Sequence, residues 1–220
     1  MERTTYRSAA IRDGLGVGLA VGLSGVAFGA AAITAGLSVP QACVLSLLAF
    51  TGASQFALTG AVGAGGDLVA AASGALLLGG RNTLYGLRLA DLLGVRGPRR
   101  LVVAHGVIDE TTAVALAQPS PESSRTGFVT TFATLYVTWN ITTLAGALGT
   151  SALGDPGMLG LDVVGPATFL AILWPRLAGS GELRLLAAAG AGIALLATPF
   201  LPPGVPVLLS AFAVLVVMAR

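Results

Sequence analysis

GLGVGLAVGLSGVAFGAAAITAGLSVPQACVLSLLAFTGASQFALTGAVGAGG, residues 14–66, contains no Asp, Glu, Lys or Arg. A helix that crosses the hydrocarbon core of a bilayer needs about 20 apolar residues, so this stretch is long enough for more than one crossing. Residues 126–154 and 185–219 are free of charge in the same way. Over all 220 residues, 55% are apolar and 10% are charged, against about 25% charged in an average soluble domain. A soluble globule could not cover itself with 12 basic and 10 acidic side chains. The pattern predicts an all-α polytopic membrane protein forming a single domain over residues 1–220. It excludes a soluble enzyme and a nucleic-acid binder, and the lone Cys43 excludes a disulfide-framed secreted fold.

The basic residues, all Arg, stand at the ends of the apolar runs: Arg3, Arg7 and Arg12 before the first, then Arg88, Arg96, Arg99 and Arg100, then Arg176 and Arg184. Such placement orients a polytopic chain by the positive-inside rule. The first apolar run continues to Gly36, beyond the 7–15 residues of a cleaved signal, and reads as a retained span over residues 14–36. It carries Gly14, Gly18, Gly22, Gly25 and Gly29, small residues that let helix backbones approach closely in lipid. Further segments run over 40–62, 67–90, 101–117, 127–149, 158–175, 185–200 and 205–219, with Pro40 suited to a first helical turn. If the N-terminus is cytoplasmic and every segment crosses, the Arg88–Arg100 cluster falls outside, against the rule. If 40–62 and 101–117 are instead broken and return to their own side, the cluster falls inside with Arg125, Arg176, Arg184 and Arg220. The expectation is therefore six full spans plus two broken or re-entrant segments, with seven or eight full spans as the alternative.

Ionisable groups inside apolar segments are costly and point to function. Here they are Arg81 and the trio His105, Asp109 and Glu110. In a continuous helix His105 and Asp109 would share a face, and a histidine beside carboxylates can relay protons; the plain alternative is a solvated interfacial loop. Arg81 keeps its charge and needs an anionic partner, either a substrate carboxylate or, structurally, Asp109 or Glu110. The polar Gly52-Ala53-Ser54-Gln55 step reads as a break between half-helices, whose free N–H groups suit a carboxylate. The alternative there is a kink with the Ser54 hydroxyl bonded back to its own backbone. Trp139 and Asn140 lie mid-span, where Asn usually bonds a neighbouring helix, and Asp162 suits a helix cap. One His with two acids offers too few nitrogen or sulfur ligands for a typical zinc site, so neither a metal nor a cofactor is expected. Gly22-Leu23-Ser24-Gly25 resembles the Gly-x-Ser-Gly of rhomboid intramembrane proteases, with His105 as nominal base, which keeps a membrane-embedded hydrolase open. A non-transporting assembly subunit is the other alternative.

Four elements resemble the AzlC family of branched-chain amino acid exporters. Gly52-Ala53-Ser54-Gln55-Phe56 resembles its Gly-Ala-Ser-Gln-Phe signature. Arg81-Asn82-Thr83-Leu84-Tyr85-Gly86-Leu87 resembles its Asn-x-Arg-His-x-x-Tyr-Gly-Leu stretch, with Gly79 in place of the Asn and Asn82 in place of the His. His105 with Asp109-Glu110 resembles a His-x-x-x-Asp-Glu element, and Leu159-Gly160-Leu161-Asp162 with Pro166 and Phe169 resembles a later Gly-Leu-Asp block. The resemblance implies a secondary transporter in the inner membrane of a bacterium. It would export leucine, isoleucine, valine or methionine with proton coupling, beside a small AzlD-like membrane subunit. Substrate would then be held by Gly52, Ser54, Gln55, Arg81, Asn82 and Tyr85, and protons would move through His105, Asp109 and Glu110.

Overall fold

A computed structural model describes residues 2–153, 177–201 and 205–218, with isolated positions at 167, 170, 173 and 174. The described residues are helical, with no strand among them. The span expected over 158–175, the Gly-Leu-Asp block and the capping role of Asp162 lie outside the described residues.

The first helix, α1, spans Glu2–Gly22, and α2 spans Gly25–Thr34 after a turn at Leu23 and Ser24. The helix thus begins twelve residues before the apolar run, because Thr, Arg and Ser are tolerated on a helix whether or not it is buried. Among the described residues, one helical run, Thr4–Thr34, is long and apolar enough to cross a membrane by length and composition. Most other apolar segments are interrupted. Segment 40–62 becomes α3 (Val39–Leu48) and α4 (Gly52–Gly63). Segment 67–90 becomes α5 (Leu68–Gly79) and α6 (Arg81–Leu93), hinged at Gly80. Segment 101–117 becomes α7 (Arg99–His105) and α8 (Asp109–Leu116). Then α9 runs without interruption over Pro121–Ala152, starting inside the expected polar loop because Ser120 caps it and Pro121 opens its first turn. Helix α10 covers Gly181–Ala197 and packs on the last segment, which is not one helix but Val205–Leu209, a 3-10 turn at Ser210–Phe212 and Ala213–Met218.

Sequence-local capping sets these starts. Ser38 accepts from the Gln41 amide while the Gln41 side chain accepts from the Ser38 amide, a reciprocal box with Pro40 in the first turn. Asp67 caps α5 by accepting from Ala70. Losing such a cap costs about 1 kcal/mol, so Ser38→Ala is expected to lower the thermal unfolding midpoint of the detergent-solubilised chain by a few degrees and leave its fold unchanged.

Helix α9 is the axis on which the rest packs. The α1–α2 run lies along it so closely that a Cβ on Gly14, Gly18 or Gly22 would sit 2.9, 2.7 or 2.6 Å from the Cβ of Thr130, Thr134 or Thr138. Gly25 and Gly29 face the α9 backbone itself at Trp139 and Thr143. The Thr142 hydroxyl lies 2.6 Å from the Gly22 carbonyl, beside the turn that separates α1 from α2. One core gathers Phe28 and Ala32 of α2, Ala42 of α3, Phe50, Phe56 of α4, Ile108, and Leu135, Trp139 and Ala147 of α9. A second joins Leu89 and Leu93 of α6 to Val107, Ala115 of α8 and Phe128 of α9, and Phe132 packs against both.

Candidate functional site

Two chain breaks meet in this core. In the first, Ala49–Thr51 leave the helical region, and Thr51 is extended before α4 begins. Gln55, fully buried, stitches the break: its Nε2 donates to the Leu45 carbonyl at 3.2 Å and lies 3.5 Å from that of Ser46, near the end of α3. In the second, α7 ends at His105 and Ile108 is extended before α8. The Thr111 hydroxyl accepts from the Ile108 amide at 3.1 Å and lies 2.6 Å from the Gly106 carbonyl. Gly106 is needed for close approach, since a Cβ there would meet the Phe132 ring at 2.6 Å. Phe50 of the first break lies 5.8 Å, centroid to centroid, from the His105 ring beside the second.

Around this junction several helix first turns come together. No side chain caps α4, so its first amides are left to other partners. A Cβ on Gly79 would lie 3.2 Å from Ser54 Oγ, which places the first turn of α4 beside the α5–α6 hinge. Arg81 opens α6 and Asp109 opens α8, and their side chains form an ion pair with Nη2–Oδ2 at 2.5 Å. A carboxylate at the first position of a helix is also favoured by the helix dipole. Glu110 follows in the same turn, half-buried. Tyr85, one turn beyond Arg81, packs against the second core.

The polar inventory is unusual for a buried region. Ser54 Oγ, Gln55 Oε1, Arg81 Nε, Asn82 Oδ1, Thr112 Oγ1, Trp139 Nε1 and Asn140 Oδ1 are all buried without a hydrogen-bond partner. Buried polar atoms nearly always find partners, and each one left over asks for an explanation such as a ligand or water. The Ser54 hydroxyl is not bonded back to its own backbone, so it does not form the kink bond that was the alternative reading.

Sequence reasoning placed His105 and Asp109 on one helical face. The break at Gly106–Ile108 removes that relation, because the two residues belong to different helices. His105 instead packs its ring among Phe50, Phe132 and Tyr136, at centroid distances of 5.8, 6.4 and 5.6 Å. Ser24 sits in the α1–α2 turn, with no hydrogen bond to His105. Asn140 does not bond a neighbouring helix either: its Nδ2 donates to the Tyr136 carbonyl of its own helix at 2.8 Å. Among the described residues, no group of three or more His, Cys, Asp and Glu is placed to hold a metal ion. A cavity of about 410 Å³ lined by Tyr6, Arg7, Glu122 and Arg125 lies at the start of α9, about 25 Å along that helix from Trp139.

No curated protein and no solved structure matches the chain. A family model described as AzlC protein matches residues 16–153, from within α1 to the end of α9. That range takes in both breaks, the Arg81–Asp109 pair and every residue with an unpartnered polar atom named above. The AzlC family is a membrane transporter-type family associated with branched-chain amino acid transport. By this match over more than half its length, the chain belongs to the AzlC family.

Proposed function

We propose that the chain is the larger subunit of a secondary transporter that exports branched-chain amino acids, coupled to protons, from the cytoplasm of a bacterium. The observation that carries this reading is that the uncapped first turn of α4 lies beside the α5–α6 hinge, just past which Arg81 pairs with Asp109 at the second chain break. A free amino acid is a zwitterion, so its site must offer donors and acceptors a few ångströms apart. The α4 amides, Ser54 and Arg81 supply donors, and Asp109 and Asn82 supply acceptors. Gln55 steadies the half-helix that presents them. Protons pass through His105, Asp109 and Glu110, and the two broken segments move in alternating access. Irregular backbone at membrane depth is tolerated only where it is enclosed by protein or lines a watery path, which fits breaks at 49–51 and 106–108. On this reading the chain has six full spans, a cytoplasmic N-terminus and a small AzlD-like partner.

The test is efflux of labelled isoleucine from preloaded cells that produce the chain with its partner. Faster loss than from cells without them is expected, and it should slow when a protonophore collapses the gradient. Equal retention with and without the chain would reject the reading.

A further inference from the structure

Trp139 and Asn140 are adjacent on α9, and each keeps one buried polar atom without a partner. Trp139 is 5% exposed, and its ring lies against the start of α4, with Cη2 and Cζ2 at 3.2 and 3.6 Å from where a Gly52 Cβ would be. Phe28 stacks on it at 6.1 Å and Phe56 meets it edge-on at 6.5 Å. The indole is thus clamped on its apolar surfaces while its N–H, a donor that can do nothing else, is unused. The Asn140 amide has a fixed orientation, because the Tyr136 carbonyl it faces can only accept and must meet Nδ2. Oδ1 is therefore the free acceptor. Tyr136, one turn away on the same face of α9, touches Phe50 at 5.0 Å and His105 at 5.6 Å. Asn140 lies one turn further along that face of α9.

We propose that this α9 step lines the substrate site beside the start of α4, with the Trp139 N–H joining the α4 amides on the amino acid carboxylate and Asn140 Oδ1 receiving its ammonium. This rests on the exporter reading and adds two residues to it. It requires that Gly52 stay small, since a side chain there would push the indole away.

The experiment is competition against labelled L-isoleucine counterflow in proteoliposomes holding the chain and its partner. The competitors are L-isoleucinamide, which lacks the carboxylate, and 3-methylpentanoate, which lacks the ammonium. The wild type is expected to prefer isoleucine strongly over both. Trp139→Phe should narrow the preference over isoleucinamide about tenfold and leave that over 3-methylpentanoate unchanged, the cost of one hydrogen bond to a charged group. Asn140→Leu should do the reverse. A merely structural role would weaken all three ligands together and leave both ratios at wild-type values, which would overturn the proposal. If Trp139→Phe does not assemble, the fluorescence of Trp139 in a Trp174→Phe background decides: a shift with isoleucine but not with isoleucinamide is expected, and no shift with isoleucine overturns the role. Wild-type liposomes without saturable isoleucine counterflow would instead reject the exporter reading, and this proposal with it.

Discussion

Cells producing Asp109→Asn are expected to retain labelled isoleucine as fully as cells that lack the chain. The substitution keeps the shape of the side chain and removes the charge that faces Arg81 at 2.5 Å. Removing one partner of a buried ion pair costs about 3–5 kcal/mol, whereas exposed pairs contribute about 0–1 kcal/mol. The side chains here are 36% and 38% exposed, which places the structural cost between those limits, near 2 kcal/mol. Loss of export by Asp109→Asn alone therefore does not separate a strut from a transport group, and the double variant Arg81→Gln/Asp109→Asn does. It removes both charges, so no unpaired ion remains and most of the folding loss should return. If the pair only fastens α6 to α8, export returns with it. If the carboxylate meets ammonium and protons while the guanidinium meets carboxylate, the double variant is monodisperse and inert. The second outcome is the expected one, read by efflux together with the yield of monodisperse protein, and recovery of export by the neutral pair would remove both residues from the mechanism.

The helical class and the two breaks were legible in the sequence because each has a local cause. The polar step at Gly52–Gln55, read as the break, is the first turn of α4, and the chain leaves the helix just before it at Ala49–Thr51. Gly106 interrupts the second apolar run, and Thr111, three residues on, ties the extended link at Ile108. Other features were not legible because they depend on contacts distant in sequence. The bond from Gln55 to the end of α3 gives a supposed substrate ligand a stitching role as well. The pairing of Arg81 with Asp109 depends on how α6 approaches α8. A shared face for His105 and Asp109 assumed an unbroken helix, and the break overrides it. Trp139 and Asn140 showed only as a polar step in an apolar span; that one abuts α4 and the other has no interhelical bond is a property of the packed molecule. The start of α1 at Glu2 escaped notice because hydropathy marks where apolar residues begin and says little about where a helix begins.

The largest loss of folded protein is expected from Gly29→Leu, with Gly16→Ala as its control. In lipid, tight packing and interhelical hydrogen bonds hold helices together, because the surrounding tails are as apolar as the side chains. The contact between the α1–α2 run and α9 is made by backbone: a Cβ on Gly29 would run into the Thr143 carbonyl and the Ala147 amide, and one on Gly146 into the Val26 carbonyl. Neither backbone can yield as a flexible side chain would, so α2 and α9 must separate. Overpacking of this kind costs about 1–3 kcal/mol and sometimes more, and a leucine at a backbone contact belongs at the upper end. Gly16, on α1, has nothing within 4 Å of its Cβ position. Alanine there should be neutral or stabilise by up to about 1 kcal/mol, the helix-propensity gain over glycine. Thermal unfolding in detergent reads both: a monodisperse fraction that collapses for Gly29→Leu beside a Gly16→Ala midpoint at or above wild type. Equal midpoints would mean that α9 is not held by this stripe. The consequence extends beyond stability, because α9 also carries Trp139 against Gly52. A milder Gly29→Ala that still folds should tilt α9 away from α2 and weaken isoleucine export, although residue 29 touches no proposed ligand group.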